Sequence, residues 1–444
     1  MRKRTIPLIL LLLASRGFTQ QPSIEAELAP VWSQVSAGRL KSDINRLVSF
    51  HNRNTFSDTL SETRGIGAAR RWLYHEFKAI AARSQAPMKV RTTGFYQKLS
   101  GRYRESTGLD SVRIVNVIAE LPGSHSDRIL VINGHYDSRS TSGLDIEGPA
   151  PGANDDGSGT AALLELARLL SGRQRRNTVV LAAMGGEEHG LFGSTAMAEA
   201  MKAEGKTVEG VIANDMIGNI AGGGGRTDNT LLRCFSPGPP ESLSRCLALY
   251  FGAVAERYFP PLQLKMIFRL DRFGRGGDHS PFIREGFAGV RFTEPYENYR
   301  IQHSPHDLPE AMSFEYFTRT TQLNAVLAAY WAESPAPPMI TSIRRDSLYR
   351  TVITFICDAP EENLFGFKVF LRETDQGYWQ EERFLPVPER EDHRSWGTVY
   401  RITLVNRDQD YYIFGLASMD RRGYESIPAV FDRDRMRAAA LKRR

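Results

Sequence analysis

The chain has 444 residues, of which 41% are hydrophobic and 24% charged, and its formal net charge is +6. That balance is ordinary for a folded protein and excludes disorder over most of the length, while the length favours two domains over one. Much of the excess charge sits at the ends, in Arg2-Lys3-Arg4 and between Arg433 and Arg444, so no basic face is expected and no nucleic-acid partner is predicted.

The start reads as an export signal over residues 1–20: a basic opening, an apolar stretch from Ile6 to Ala14, and polar residues from Thr19 onward. The apolar stretch is too short to span a bilayer, and no later segment has the ~20 apolar residues a membrane helix needs. A periplasmic or extracellular location without stable membrane insertion is expected; a retained N-terminal anchor is the alternative. The region 40–334 alternates helical patterns with short runs rich in Val and Ile, as a mostly parallel mixed sheet covered by helices does. Strands are predicted over 112–119, 129–133, 178–183, 210–213 and 289–292, and helices over 68–82, 159–170 and 315–331. The unbroken apolar run Val179-Val180-Leu181-Ala182-Ala183 suits a central strand buried on both faces.

Prolines at 335, 337 and 338 then mark an extended linker over 335–338, because they remove backbone donors and fix φ. Beyond it, residues 339–434 are β-rich, with strands predicted over 349–357, 365–372, 397–405 and 411–419, as in a small fibronectin type III-like sandwich. A basic tail, 435–444, closes the chain. Three cysteines are too few for a disulfide framework. Cys234 and Cys246 could pair in an exported protein, and Cys357 reads as a buried free thiol.

The chemistry-bearing residues follow the predicted strands, where open α/β sheets place their ligand sites. Gly134-His135-Tyr136-Asp137 offers a histidine ligand with a carboxylate nearby to orient it, although a lone histidine beside a strand is commonly structural. Asn154-Asp155-Asp156-Gly157-Ser158-Gly159 can present a carboxylate able to bridge two cations; an Asp-rich helix cap would read the same. Gly185-Gly186-Glu187-Glu188 can divide two tasks, one carboxylate on a metal and one moving protons, or can be a solvated loop. Asp215 and His303 follow two further strands. Five nitrogen or oxygen ligands at successive strand ends are harder to dismiss than any one of them.

This ordered set resembles the co-catalytic di-zinc aminopeptidases of bacteria, whose wider group includes glutamate carboxypeptidases and glutaminyl cyclases. The resemblance covers residues 43–331. It implies that His135 and Asp215 hold one zinc, that Glu188 and His303 hold the other, and that Asp155 bridges them, with a cis peptide at Asp155-Asp156. It also implies Glu187 as general base and Asp137 as the support of the first histidine. The segment from Gly277 to Phe282, with Asp278 and His279, looks like the family's substrate-pocket segment, and packing explains it equally. Gln302 stands where well-known members have a tyrosine before the last histidine, and Tyr299 lies four residues before that histidine, which puts oxyanion assistance by tyrosine in question. The expected activity is aminopeptidase action on peptides or proteins, with two zinc ions, for which manganese or cobalt could substitute. A carboxypeptidase or dipeptidase on the same metals, or a non-catalytic binding protein of the same fold, are the alternatives.

Overall fold

The computed structural model describes residues 23–432, apart from 125–126, 240, 348, 358–362 and 395–396. The expected leader (1–20) and basic tail (435–444) lie outside the described residues. The first region builds one sheet from β1 (Lys89–Lys98), β2 (Ser111–Leu121), β3 (Arg128–His135), β4 (Thr178–Met184), β5 (Thr207–Asn214), β6 (Leu231–Phe235), β7 (Gln263–Ile267) and β8 (Gly289–Thr293). Their order is β1-β2-β4-β3-β5-β8-β6-β7. The central run β4-β3-β5-β8 is parallel. Outside it the sheet is mixed: β1/β2, β2/β4 and β6/β8 are antiparallel and β6/β7 is parallel.

Alternation along a strand sends neighbours to opposite faces, and the packing follows it closely. Val179, Leu181 and Ala183 join the large core on one face, while Val180, Ala182 and Met184 join the smaller core on the other. The large core is closed by α1 (Ile24–Ser33), α2 (Ala37–Ser49), α3 (Gly65–Ala81), α5 (Gly157–Leu170), α7 (Leu243–Tyr258) and α9 (Phe314–Glu333); α4 (Gly101–Thr107) lies outside it. The opposite face is covered by α6 (Phe192–Ala203) and α8 (His279–Arg284). β4 is therefore buried on both faces, as its apolar run predicts.

The second region forms two antiparallel sheets, β13-β14-β10-β9 and β12-β11-β15. The strands are β9 (Met339–Ser347), β10 (Arg350–Cys357), β11 (Leu364–Glu373), β12 (Glu381–Pro386), β13 (Arg390–Arg394), β14 (Gly397–Val405) and β15 (Tyr412–Asp420). Phe355 and Tyr400 from one sheet meet Phe367 and Leu416 from the other in a common core, with the Phe355 and Phe367 rings 4.7 Å apart. Cys234 and Cys246 are free thiols, so the suggested disulfide is not formed. Each is sealed in the apolar core on a different element, β6 and α7, and burial pushes the Cys246 thiol up to about 12. Cys357 is buried, as expected. No helix among the described residues is long and apolar enough to cross a membrane.

The β-rich region is docked onto the first. Ile413, Tyr424, Ile427 and Val430 enter the large core itself. The proline-rich segment is pinned at its start, where the Ser334 carbonyl accepts hydrogen bonds from Arg128 and Asn177. Helix α1, which precedes the expected start of the first region at residue 40, takes part in the join. Its Glu27 receives Arg173 (2.9 Å) and the Tyr424 hydroxyl (3.2 Å), and pairs with Arg422. Burial alone would raise the Glu27 carboxyl, but Arg422 and Arg173 outweigh it and hold the group below its ordinary value. A depressed carboxylate contributes stability that is present above its unfolded value, about 4.5, and is lost as pH falls through the lower folded value. Glu27→Gln is expected to lower Tm by roughly 2–4 °C at pH 7 and by less at pH 3, read by thermal unfolding at both pH values; an equal loss at both would show that this ion pair is not the contact that matters.

Candidate metal centre and active site

Four parallel neighbours deliver the site. β3 ends on His135, β4 leads into Glu187-Glu188, β5 into Asp215, and β8 into the loop carrying His303. Parallel strands put these ends on one edge of the sheet, and Asp155, just ahead of α5, closes the group. Asp155 lies between the two histidines: its Oδ1 is 3.4 Å from His135 Nε2 and its Oδ2 is 3.0 Å from His303 Nε2. Asp215 Oδ1 stands 3.8 Å from His135 Nε2, and Glu188 Oε2 3.2 Å from His303 Nε2. Two clusters with metal-ligand chemistry result, His135/Glu187/Asp215 and Asp155/Glu188/His303. All five expected ligands are thus brought together, together with Glu187. His306, three residues from His303, is exposed and takes no part.

The backbone is arranged to serve these side chains. The peptide Asp155-Asp156 is cis, as the resemblance implies. The Asp156 carboxylate accepts from the amides of His135 (3.0 Å), Gly159 (2.8 Å) and Met216 (3.2 Å), tying the ends of β3 and β5 to the start of α5. Asp307 accepts from the amides of Asn154 (3.0 Å) and Asp155 (2.9 Å). Arg53, fully buried, donates to the carbonyls of Tyr136, Leu47, Pro151 and Gly152. Gly186 turns the chain with φ 79°, a conformation that favours glycine. Gly193 allows a close approach, since a Cβ there would stand 2.2 Å from Asn116 Oδ1.

Asp137 supports the site in a way the sequence does not reveal. Its carboxylate accepts from the amides of Glu187 (3.2 Å) and Glu188 (3.3 Å) and from the Thr55 hydroxyl (2.9 Å). His135 Nδ1 is instead closest to the Asp137 carbonyl, at 3.1 Å, with the carboxylate at 3.7 Å. Asp137 therefore orients the histidine and fixes both glutamates.

Electrostatics follow from burying four carboxylates beside two imidazoles. Burial would raise Asp155, but His303 and His135 hold it well below its usual range. Burial would likewise raise Asp215, and Arg291 with His135 outweighs it. Burial pushes the Glu187 carboxyl well above its ordinary value, with Asp215, Asp278 and Glu188 adding to the effect against His135. Burial opposes the charge on His303, but Asp155 and Glu188 lift it to about 10. Two buried carboxylate oxygens, Glu188 Oε1 and Asp215 Oδ1, have no hydrogen-bond partner. Orphaned anionic oxygens in a ring of imidazole and carboxylate donors, with no thiolate among them, fit a borderline divalent cation such as zinc.

Of the three other expected residues, His279 and Tyr299 lie away from the cavity and Asp278 lies beside Glu187. His279 is completely buried, with Nε2 2.7 Å from the Leu270 carbonyl, so it packs α8 and does not face the cavity. Asp278, ahead of it, is buried close enough to Glu187 to raise that group, and burial pushes its own carboxyl up to about 7. Tyr299 is 66% exposed and outside the cavity. Gln302 occupies the place beside the ligands, its amide donating to Asp155 Oδ2 at 2.8 Å. Sequence reasoning also misses Arg291, which is fully buried and donates to Asp215 Oδ2 at 2.8 and 3.1 Å and to Asp271 at 3.1 Å. The available signal was a charged residue inside the apolar strand Gly289–Thr293.

Comparison with known proteins agrees with this geometry. Residues 116–328 match the model of peptidase family M28. The chain is 35% identical to a probable zinc metalloprotease of Leptosphaeria maculans, over 93% of this chain and 98% of that one. It is 34% identical to a probable zinc metalloprotease of Pyrenophora tritici-repentis, over 91% and 86%. The chain belongs to peptidase family M28, and it is a zinc metallopeptidase. Both of these relatives are fungal, and what they share with this chain is the family. Among solved structures the fold is similar to the LapA aminopeptidase of Legionella pneumophila (TM-score 0.55, 18% identity, 75% of this chain and 78% of that one). It is also similar to an aminopeptidase from Aneurinibacillus sp. strain AM-1 (TM-score 0.51, 17% identity, 70% and 97%).

Asp156→Ala removes three buried backbone partners at once and is expected to cost on the order of 3 kcal/mol of stability and to lower zinc content. Denaturant unfolding and metal analysis of the purified variant check this. Stoichiometric zinc in the variant would show that the strand ends hold their positions without Asp156.

Proposed function

We propose that the protein is an exported di-zinc exopeptidase, an aminopeptidase that releases N-terminal residues from peptides. The observation that carries this reading is the double-facing Asp155, whose two oxygens approach His135 and His303 separately; one carboxylate shared by two donor clusters suits a bridged pair of cations. His135 and Asp215 would hold one ion, Glu188 and His303 the other, with Asp155 common to both. Bound there, the cations supply Lewis acidity toward the scissile carbonyl and toward water.

The remaining work falls to the chain's own groups. Glu187, largely buried and held by Asp137 through its amide, takes a proton from the attacking water and returns it to the leaving amine. Gln302 supplies an amide donor beside Asp155, and we assign to it the oxyanion assistance that a tyrosine would otherwise give. The leader-like start supports export, and the two-sheet module supports a fibronectin type III-like reading for residues 339–434.

Glu187→Gln is expected to retain zinc and lose at least ~100-fold in kcat; near-normal peptidase activity would refute the assignment of the base. A panel of free-amino, N-acetylated and C-amidated peptides, assayed with and without chelator, tests the choice of terminus. Cleavage is expected to require the free amine and, in peptides longer than a dipeptide, to tolerate amidation. If acetylated peptides were cut as fast as free ones, the aminopeptidase reading would fall while metal-dependent hydrolysis stood.

A further inference from the structure

The cavity beside the acidic cluster has a volume of about 230 Å³, enough for one side chain, and its wall carries both signs, with the four carboxylates on one side and three arginines among the rest. Besides Asp155, Glu187, Glu188, Asp215 and His303, it is lined by Arg139, Arg272, Arg275, Gly276, Gln302 and Leu191. Leu191 is the one aliphatic side chain among these. A pocket selecting an apolar residue needs apolar walls, and this one has three guanidinium groups instead.

Counting charge decides what such a pocket prefers. Two divalent cations would balance the four lining carboxylates, of which Glu188 also faces Arg139 at 3.3 Å and Asp215 faces Arg272 at 3.9 Å; the rest of the compensation for the arginines comes from behind. Arg272 is packed in place, with its Nε 3.0 Å from Asp271 and its Nη1 2.5 Å from Glu297. Glu297 also receives Arg233 at 2.8 Å, and Asp271 also receives Arg291 at 3.1 Å. Both rear anions are thus shared. Among the described residues, the Arg275 side chain has only the far contact to Glu297, 3.5 Å, and is 34% exposed. Arg139 is turned inward, with Nη2 2.9 Å from His303 Nδ1 and Nε 3.3 Å from Glu188.

We infer that the pocket selects a carboxylate on the substrate, with Arg275 as the group that reads it and Arg272 as its fixed cationic backing. The planar fork of a guanidinium matches a carboxylate with two parallel hydrogen bonds. The carboxylate comes either from an acidic side chain of the residue being released or from the free C-terminus of a very short peptide. This inference rests on the peptidase reading and narrows it.

The test uses the full-length zinc-loaded enzyme with matched short peptides that differ in one feature at a time: Glu against Leu at the N-terminal residue, and free against amidated C-terminus in dipeptides. The carboxylate-bearing member is expected to be favoured about ten- to a hundred-fold in kcat/KM, mainly through KM. Preference that follows the side chain identifies an acidic residue, and preference that follows the terminus identifies the terminal carboxylate. Arg275→Gln should bring the ratio close to one, and Arg275→Glu should reverse it toward Lys over Glu, an outcome that misfolding does not produce. Calorimetric binding of the same peptides to zinc-loaded Glu187→Gln reads selectivity without turnover. Absence of hydrolysis of every peptide, with the binding preference intact, would sink the peptidase reading and leave this one standing. Wild-type preference for Leu-headed and amidated peptides, or ratios unmoved by both Arg275 substitutions, would overturn it.

Discussion

Asp155, Glu187, Glu188 and Asp215 are carboxylates crowded at one sheet edge, each largely withdrawn from water. Buried anions at this density repel one another and lose their hydration, costs that a fold meets only with cations, charged partners or hydrogen bonds. Each of the three appears. Imidazoles flank Asp155 on both sides, Arg291 covers Asp215 Oδ2, and the Gln302 amide donates to Asp155 Oδ2. What stays uncovered, Glu188 Oε1 and Asp215 Oδ1, is where added positive charge gains most.

The same demand explains the stiffness of the surrounding backbone. Metal affinity depends on donors held at fixed separations before the ion arrives. Here the parallel order β4-β3-β5-β8 sets the spacing, and Asp156 and Arg53 lock the loops between the strands. Arg291 has a further effect. By occupying Asp215 Oδ2 it leaves Oδ1 as the free donor, so Asp215 is suited to offer one oxygen, whereas Asp155 offers both.

Much of this was legible from the residues because strand ends carry both a strong local signal and the chemistry. The run 179–183 is apolar enough to announce a central strand, and the polar residues after it are too unlike a buried strand to be continuous with it. The short strands β6 and β7 lack that contrast: Leu231–Phe235 and Gln263–Ile267 are five residues each, with a charged residue inside. Helix α1 was hidden for another reason. Its burial depends on α9 and on residues near 424, roughly 300 and 400 positions away in the chain, and no local pattern reports such a partner. His279 and Tyr299 show the reverse error, in which a motif gives proximity in sequence while the side chain's direction is set by packing.

Docking of the C-terminal sheets extends the argument beyond the site. Tyr424 and Ile427 complete the core against α9, and the Tyr330 and Tyr424 rings lie 5.0 Å apart. Helix α9 follows the loop that carries His303 and spans the back of the sheet, where Asn324 Oδ1 accepts from Asn214 Nδ2 at 3.1 Å, one residue before Asp215. Residues at the module's join therefore support the helix that also braces a ligand-bearing strand end. Removal of a core residue at that join is expected to loosen this edge through α9, since among the described residues none of the module lines the cavity.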